Sequence, residues 1–173
     1  MAVIHSVRNF TPVIGDDCWI AENATIVGDV VIGKQCSIWF QAVIRGDVNA
    51  IRIGDEVNIQ DGAILHATYE KSETHIGHRV SVGHRAIVHG CRIEDEVLVG
   101  MGAIVMDNAI VKSHVIIGAG AVVPEGMILE SGYIYAGVPA KKLKALDEEH
   151  FQFFIQRTAT NYKMYSTWFQ SKK

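Results

Sequence analysis

The sequence predicts an all-β solenoid with a helix packed along it, and three observations carry that prediction. Aliphatic residues recur every six positions, a small or β-branched residue follows most of them four places later, and the last stretch changes to near-helical spacing. A period of six with two locked positions fits neither the 3.6-residue stripe of a helix nor the two-residue alternation of one long strand. It fits a short strand and a corner per hexad, and such coils bury a continuous core only by stacking.

The aliphatic series runs through Ile14, Ile20, Ile26, Ile32, Ile38 and Ile44, then, after three extra residues, through Ile53, Ile59 and Leu65. A longer interruption precedes Ile76, Val82 and Val88, and with one residue missing the series continues as Ile93, Val99, Val105, Val111, Ile117 and Val123. The small residues include Cys18, Ala24, Cys36, Ala42, Ala63, Ala86, Ala103, Ala109 and Ala121. Glycines such as Gly15, Gly33, Gly54 and Gly77 fall near the expected corners, where backbone strain favours a residue without Cβ. The expected division is a repeat domain over 1–140, with hexads from about 14 to 128, and a linker with a helix over 141–173. In that last part Lys141, Lys142 and Lys144 read as linker, Asp147 as an N-cap, and Phe151, Phe154, Ile155, Tyr162, Tyr165 and Phe169 as the apolar stripe.

Composition narrows the function. With 16 Lys+Arg against 19 Asp+Glu the net charge is −3, and no basic stripe points to nucleic acid. No run approaches the roughly 18 apolar residues of a membrane span, and the first ten residues lack a signal peptide's apolar run, so a cytoplasmic protein is expected. Three cysteines without a CxxC pair indicate neither a disulfide framework nor a cysteine zinc site, which leaves the eight histidines.

The repeat breaks at 45–52, 66–75 and 88–92, and solenoid insertions collect on a binding side. With three hexads per coil, Ile44, Leu65 and Val88 stack on one face, so the residues after them, Arg45, His66 and His89, form a column. His84 falls on the neighbouring face, in line with Gln60. A second copy in a three-fold ring would bring a His84 face against a His66/His89 face. Three neutral imidazoles and an open position suit a catalytic zinc, and the same ligands suit Fe(II) or Co(II).

These motifs resemble the γ-class carbonic anhydrases among the hexapeptide-repeat proteins. The resemblance implies a left-handed, three-sided parallel β-helix, here of about six coils and roughly 25–30 Å long at ~4.8 Å per coil. It implies a homotrimer with His66, His84 and His89 as metal ligands shared between subunits, Arg45 and Asp47 as an intersubunit ion pair, and Asn58 and Gln60 as an NxQ motif. Gln60 would position the metal-bound hydroxide or the substrate, carbon dioxide or bicarbonate, and Tyr162 matches an active-site tyrosine. Two departures from the resembled family stand out: Val48 replaces a glutamate after Asp47, and the loop after His66 is short where the family's long acidic loop supplies a proton shuttle; Glu70, Glu73 and His75 could relay protons, but no motif assigns them that role. Alternative readings are a coenzyme A thioesterase using the same ion, a hexapeptide acyltransferase, and a catalytically silent metal-binding scaffold.

Overall fold

The computed structural model describes residues 1–170. It is a left-handed parallel β-helix of about seven turns with one C-terminal helix. Ile14, Ile32, Ile53, Ile76, Ile93, Val111 and Leu129 stack along the first face, and Ile20, Ile38, Ile59, Val82, Val99, Ile117 and Tyr135 along the second. The third carries Ile26, Ile44, Leu65, Val88, Val105 and Val123, with Val3–His5 laid against its first strand. Six coils are therefore complete, and Leu129 and Tyr135 begin a further turn beyond the expected six. The aliphatic residues from Ile26 to Val123 are all buried, so the period-six pattern is the core.

Coils are tied by main-chain bonds running between them, as in Ser37 N–H to Val57 O (2.9 Å), Asn58 N–H to Val80 O (3.1 Å) and Ser81 N–H to Val97 O (2.9 Å). The left-handed residue lies three places after the aliphatic one: it is a polar side chain at Asp17, Gln35, Glu56, Arg79, Glu96 and His114, and a glycine at Gly62, Gly102, Gly120, Gly126 and Gly132, all with positive φ. Glycines such as Gly33 and Gly54 serve close approach instead, because a Cβ there would lie 2.5 Å from Gly54 O and 2.7 Å from Gly77 O respectively.

Insertions leave the spiral without disturbing its register. Val43–Ile53 runs as one strand through a corner from the third face to the first. The segment 66–75 leaves as a loop held by Asn49, whose Nδ2 donates to Thr68 O (2.9 Å) and Ser72 O (2.7 Å).

The lysine run is not a linker. Lys141–Ala145 forms an antiparallel strand on Tyr133–Ala136, with Lys142 Nζ 3.7 Å from the Tyr133 ring centroid. Exposed lysines on the last strand blunt a sheet edge that would otherwise invite pairing. Asp147 then caps the helix, accepting from His150 N–H (2.8 Å). The helical run over 148–167 contains a π-helical segment, Phe151–Gln156, which rotates the apolar stripe: Ile155 is buried, while Phe153 and Phe154 remain exposed. Residues 171–173 of the expected helical segment lie outside the described residues.

Ile59 is fully buried in the third coil, so Ile59→Ala should cost roughly 2–5 kcal/mol, read as a lower denaturant midpoint with an unchanged slope.

Candidate metal centre

Register builds the first part of the site. Pairing of Ile44 with Leu65 and of His66 with His89 aligns Arg45, His66 and His89 on the third face, one coil apart. Gly46 separates Arg45 from Asp47, so both side chains leave the strand on one side, and the Arg45 guanidinium pairs with Asp47 Oδ2 within the chain. The other oxygen, Oδ1, lies 3.0 Å from His66 Nε2. On the far side of the column, Asp107 Oδ2 lies 3.0 Å from His89 Nδ1.

These contacts decide where the imidazole protons sit. Burial raises the Asp47 carboxyl, but the bonds from Arg45 and His66 outweigh it and hold the group below the ordinary carboxylate range. Burial likewise opposes ionisation of Asp107, yet hydrogen bonds led by that of Ser72 bring it down to about 2. Ionised carboxylates only accept, so His66 donates from Nε2 and His89 from Nδ1. Burial, with the Arg45 charge beside it, keeps the His66 ring below the usual imidazole range, so it is neutral near pH 7. His66 Nδ1 faces His89 Nε2 at 3.2 Å. When both rings are neutral these nitrogens present lone pairs to each other, and a cation between them would relieve the repulsion; nitrogens at this separation can both reach one zinc ion at the usual ~2.0–2.1 Å.

His84 stands apart on the second face. Its Nδ1 lies 2.9 Å from Asp61 Oδ2, and Tyr162 Oη lies 3.1 Å from its Nε2. Burial, with Asp61 nearby, pushes the Tyr162 phenol up to about 12, so it stays protonated and donates to Nε2. Trp39 packs edge-on against Tyr162, centroids 5.1 Å apart, and fixes the ring. Gln60 Oε1 accepts the His84 main-chain N–H (3.2 Å), its Nε2 donates to Asn58 Oδ1 (3.0 Å), and Asn58 Nδ2 donates to Ser81 Oγ (2.7 Å). Among the described residues, no three His, Cys, Asp or Glu side chains gather in a metal-holding group within one chain.

Glu70, Glu73 and His75 belong to the loop segment 66–75, where they line a polar pocket of about 550 Å³, and Glu73 bonds His75 at 2.9 Å. Asp61, Asp107 and Ser72 are the residues that sequence reading missed. The available signal was Gly90 directly after His89: its φ is +57°, and a Cβ there would lie on the Ser72 hydroxyl and the Asp107 carboxylate.

With this geometry in hand, the class of protein is a hexapeptide-repeat β-helix carrying a histidine–aspartate site. Residues 11–46 and 90–125 match the bacterial transferase hexapeptide family of six repeats. The chain is 47% identical to a carbonic anhydrase of Geobacillus kaustophilus, the match covering 85% of this chain and 80% of that one. It is 39% identical to the mitochondrial gamma carbonic anhydrase 1 of Arabidopsis thaliana over 91% of its length, but spans only 58% of that longer protein. A solved hexapeptide transferase family protein from Anaplasma phagocytophilum superposes with a TM-score of 0.92 at 39% identity, covering 97% of this chain and 98% of that one. The chain belongs to the γ-class carbonic anhydrase-like family of hexapeptide-repeat proteins.

The lowered Asp107 carboxyl has a pH signature. A depressed folded-state pKa contributes stability above the unfolded value of 3.8 that is lost as pH falls through about 2. Acid unfolding of the metal-free protein between pH 4 and 2 should therefore be shallower in Asp107→Asn than in the parent, followed by circular dichroism.

Proposed function

We propose that this chain is a metal-dependent γ-class carbonic anhydrase that hydrates carbon dioxide reversibly at the subunit interface of a homotrimer. His66 and His89 of one subunit and His84 of the next would hold the ion. The observation that carries this reading is the pair of imidazole nitrogens facing each other 3.2 Å apart, each ring held from behind by its own carboxylate. When bound, zinc, or Fe(II) or Co(II) on the same ligands, lowers the pKa of water toward ~7 and so supplies a nucleophile at neutral pH.

The chain's own residues do the rest. Asp47 and Asp107 keep His66 and His89 in the tautomers that present a lone pair, and Asp61 does the same for His84. Gln60, anchored by Asn58 and the His84 main chain, has a second amide hydrogen for a substrate oxygen. Arg45 sets a positive charge beside the place where bicarbonate gains its negative one. Tyr162 Oη gives His84 Nε2, the nitrogen that would ligate, a hydrogen-bond partner within the single chain.

The trimer follows from the site. A second subunit is the source of the third imidazole, and a heterologous contact closes as a ring. The third face supports it with Val43, Ile64, Ile87, Ile104 and Val122, an outward column of apolar side chains beside the histidines.

A second reading, hydrolysis of coenzyme A esters with the same ion, is favoured by one feature. A groove of about 540 Å³ runs from His84 and Tyr162 between the helix and the second face, lined by Leu98, Met101, Ile116, Ile134 and Phe154. Carbon dioxide needs no such space.

Stopped-flow hydration, with metal content measured on the same sample, tests the proposal. Activity should scale with occupancy of zinc, iron or cobalt, and His84→Ala should lower both by ~100-fold or more, since outer groups alone are worth 10–100-fold. Full occupancy without hydration, or a His84→Ala trimer with full metal and activity, would overturn it. Acyl-coenzyme A hydrolysis by the same loaded sample would then point to the second reading.

A further inference from the structure

The loop 66–75 reaches back to the histidine column through a buried hydrogen-bond relay that none of the site motifs contains. Asp107 is 5% exposed and Ser72 6%. The Ser72 hydroxyl donates to Asp107 Oδ1, and the same hydroxyl oxygen accepts from Thr68 N–H (3.1 Å). Both oxygens of Asp107 are thus engaged, one by Ser72 and the other by His89 Nδ1–H (3.0 Å). Asn49 fixes the base of the relay by holding the carbonyls of Thr68 and Ser72. Lys71 pins the loop tip to Glu125 at 2.8 Å.

Space at the centre of the relay exists because residue 90 is glycine: any side chain would occupy the position of the Ser72–Asp107 bond. Asp107 arrives from the next coil, two places after Val105, which stacks on Val88. A buried carboxylate needs partners for both oxygens whatever its role. The distinguishing feature of this one is that Oδ2 faces His89 Nδ1 while Ser72 holds Oδ1 in place, and a fixed acceptor leaves a neutral ring only one nitrogen to protonate.

We propose that Asp107 is a positioning residue for the metal centre: its carboxylate, clamped by Ser72, holds the His89 proton on Nδ1 and keeps Nε2 bare toward His66. The short loop after His66 thereby acts as a brace for a ligand. The functional meaning of this brace rests on the metal-site reading above, whereas the tautomer itself does not.

The test uses the full-length protein with Asp107→Asn, whose amide can turn its N–H toward the ring. Nitrogen-15 histidine spectra of the metal-free protein should show His89 as the Nδ1–H tautomer in the parent and a shift toward Nε2–H in the variant. Zinc affinity, measured by competition with a chelator, should fall ~10–100-fold with secondary structure and assembly unchanged, and the visible spectrum of the cobalt form should change. Retention of the Nδ1–H tautomer with unchanged zinc affinity would overturn the proposal and leave Asp107 as a loop staple. If the parent binds no zinc, the metal reading fails while the tautomer comparison still decides whether Asp107 governs His89. Should Asp107→Asn not fold, Ser72→Ala loosens the same carboxylate, and a smaller shift in the same direction is expected.

Discussion

In-register stacking of coils is the constraint on which everything else depends. Each aliphatic side chain sits on its counterpart one coil away, and the main-chain bonds between coils tie every strand to the next. A slip of one residue would turn a core side chain outward along the whole strand, so extra residues have to leave the spiral rather than shift it. The three breaks in the repeat are consequences of that rule. They put a long strand at Val43–Ile53, a loop after His66 and a tight return at Gly90 beside one another, and the polar residues that they carry converge on the third face.

Because register is so strict, the outline of the site was legible from counting hexads alone. Arg45, His66 and His89 each follow a core position of the same phase, and in the structure they share one column. His84 and Gln60 each follow a core residue of the second face, and in the structure a hydrogen bond joins them. What the period could not show are side chains whose placement depends on insertions and corners. Asp107 lies two places past its core residue and reaches His89 only because Gly90 leaves room and Ser72 returns from the loop. Asp61 sits at a corner, where the hexad prescribes backbone shape and leaves the side chain free.

The ends of the solenoid were less legible for a different reason. Lys141–Ala145 has the composition of a solvated connector, and the partner that makes it a strand, Tyr133–Ala136, is itself the last, incomplete turn. Edge strands are chosen for what they prevent as much as for what they bury, so their sequences do not look like strands. The glycines teach the complementary lesson. Those directly after a core residue, such as Gly33 and Gly54, mark corners through contact with the next coil, while the left-handed position two residues on is filled by glycine at Gly62, Gly102 and Gly120 and by charged residues at Glu56 and Arg79.

The same geometry explains why this site would need more than one chain. Stacking places residues of equal phase in one column, so it brings two imidazoles within 3.2 Å with little further design. It also keeps a residue on the next face away from that column, since a triangular prism turns its faces outward. The next position of that column is Met106 rather than a histidine, so in the proposed site a second copy would supply the third imidazole from an intact face. Tyr162 fits that arrangement, because its hydroxyl gives His84 Nε2 a partner within the single chain at 3.1 Å. The helix that carries Tyr162 is capped by Asp147 and packs its ring against Trp39 of the second coil, so the hydrogen bond to His84 depends on the docking of the C-terminal helix.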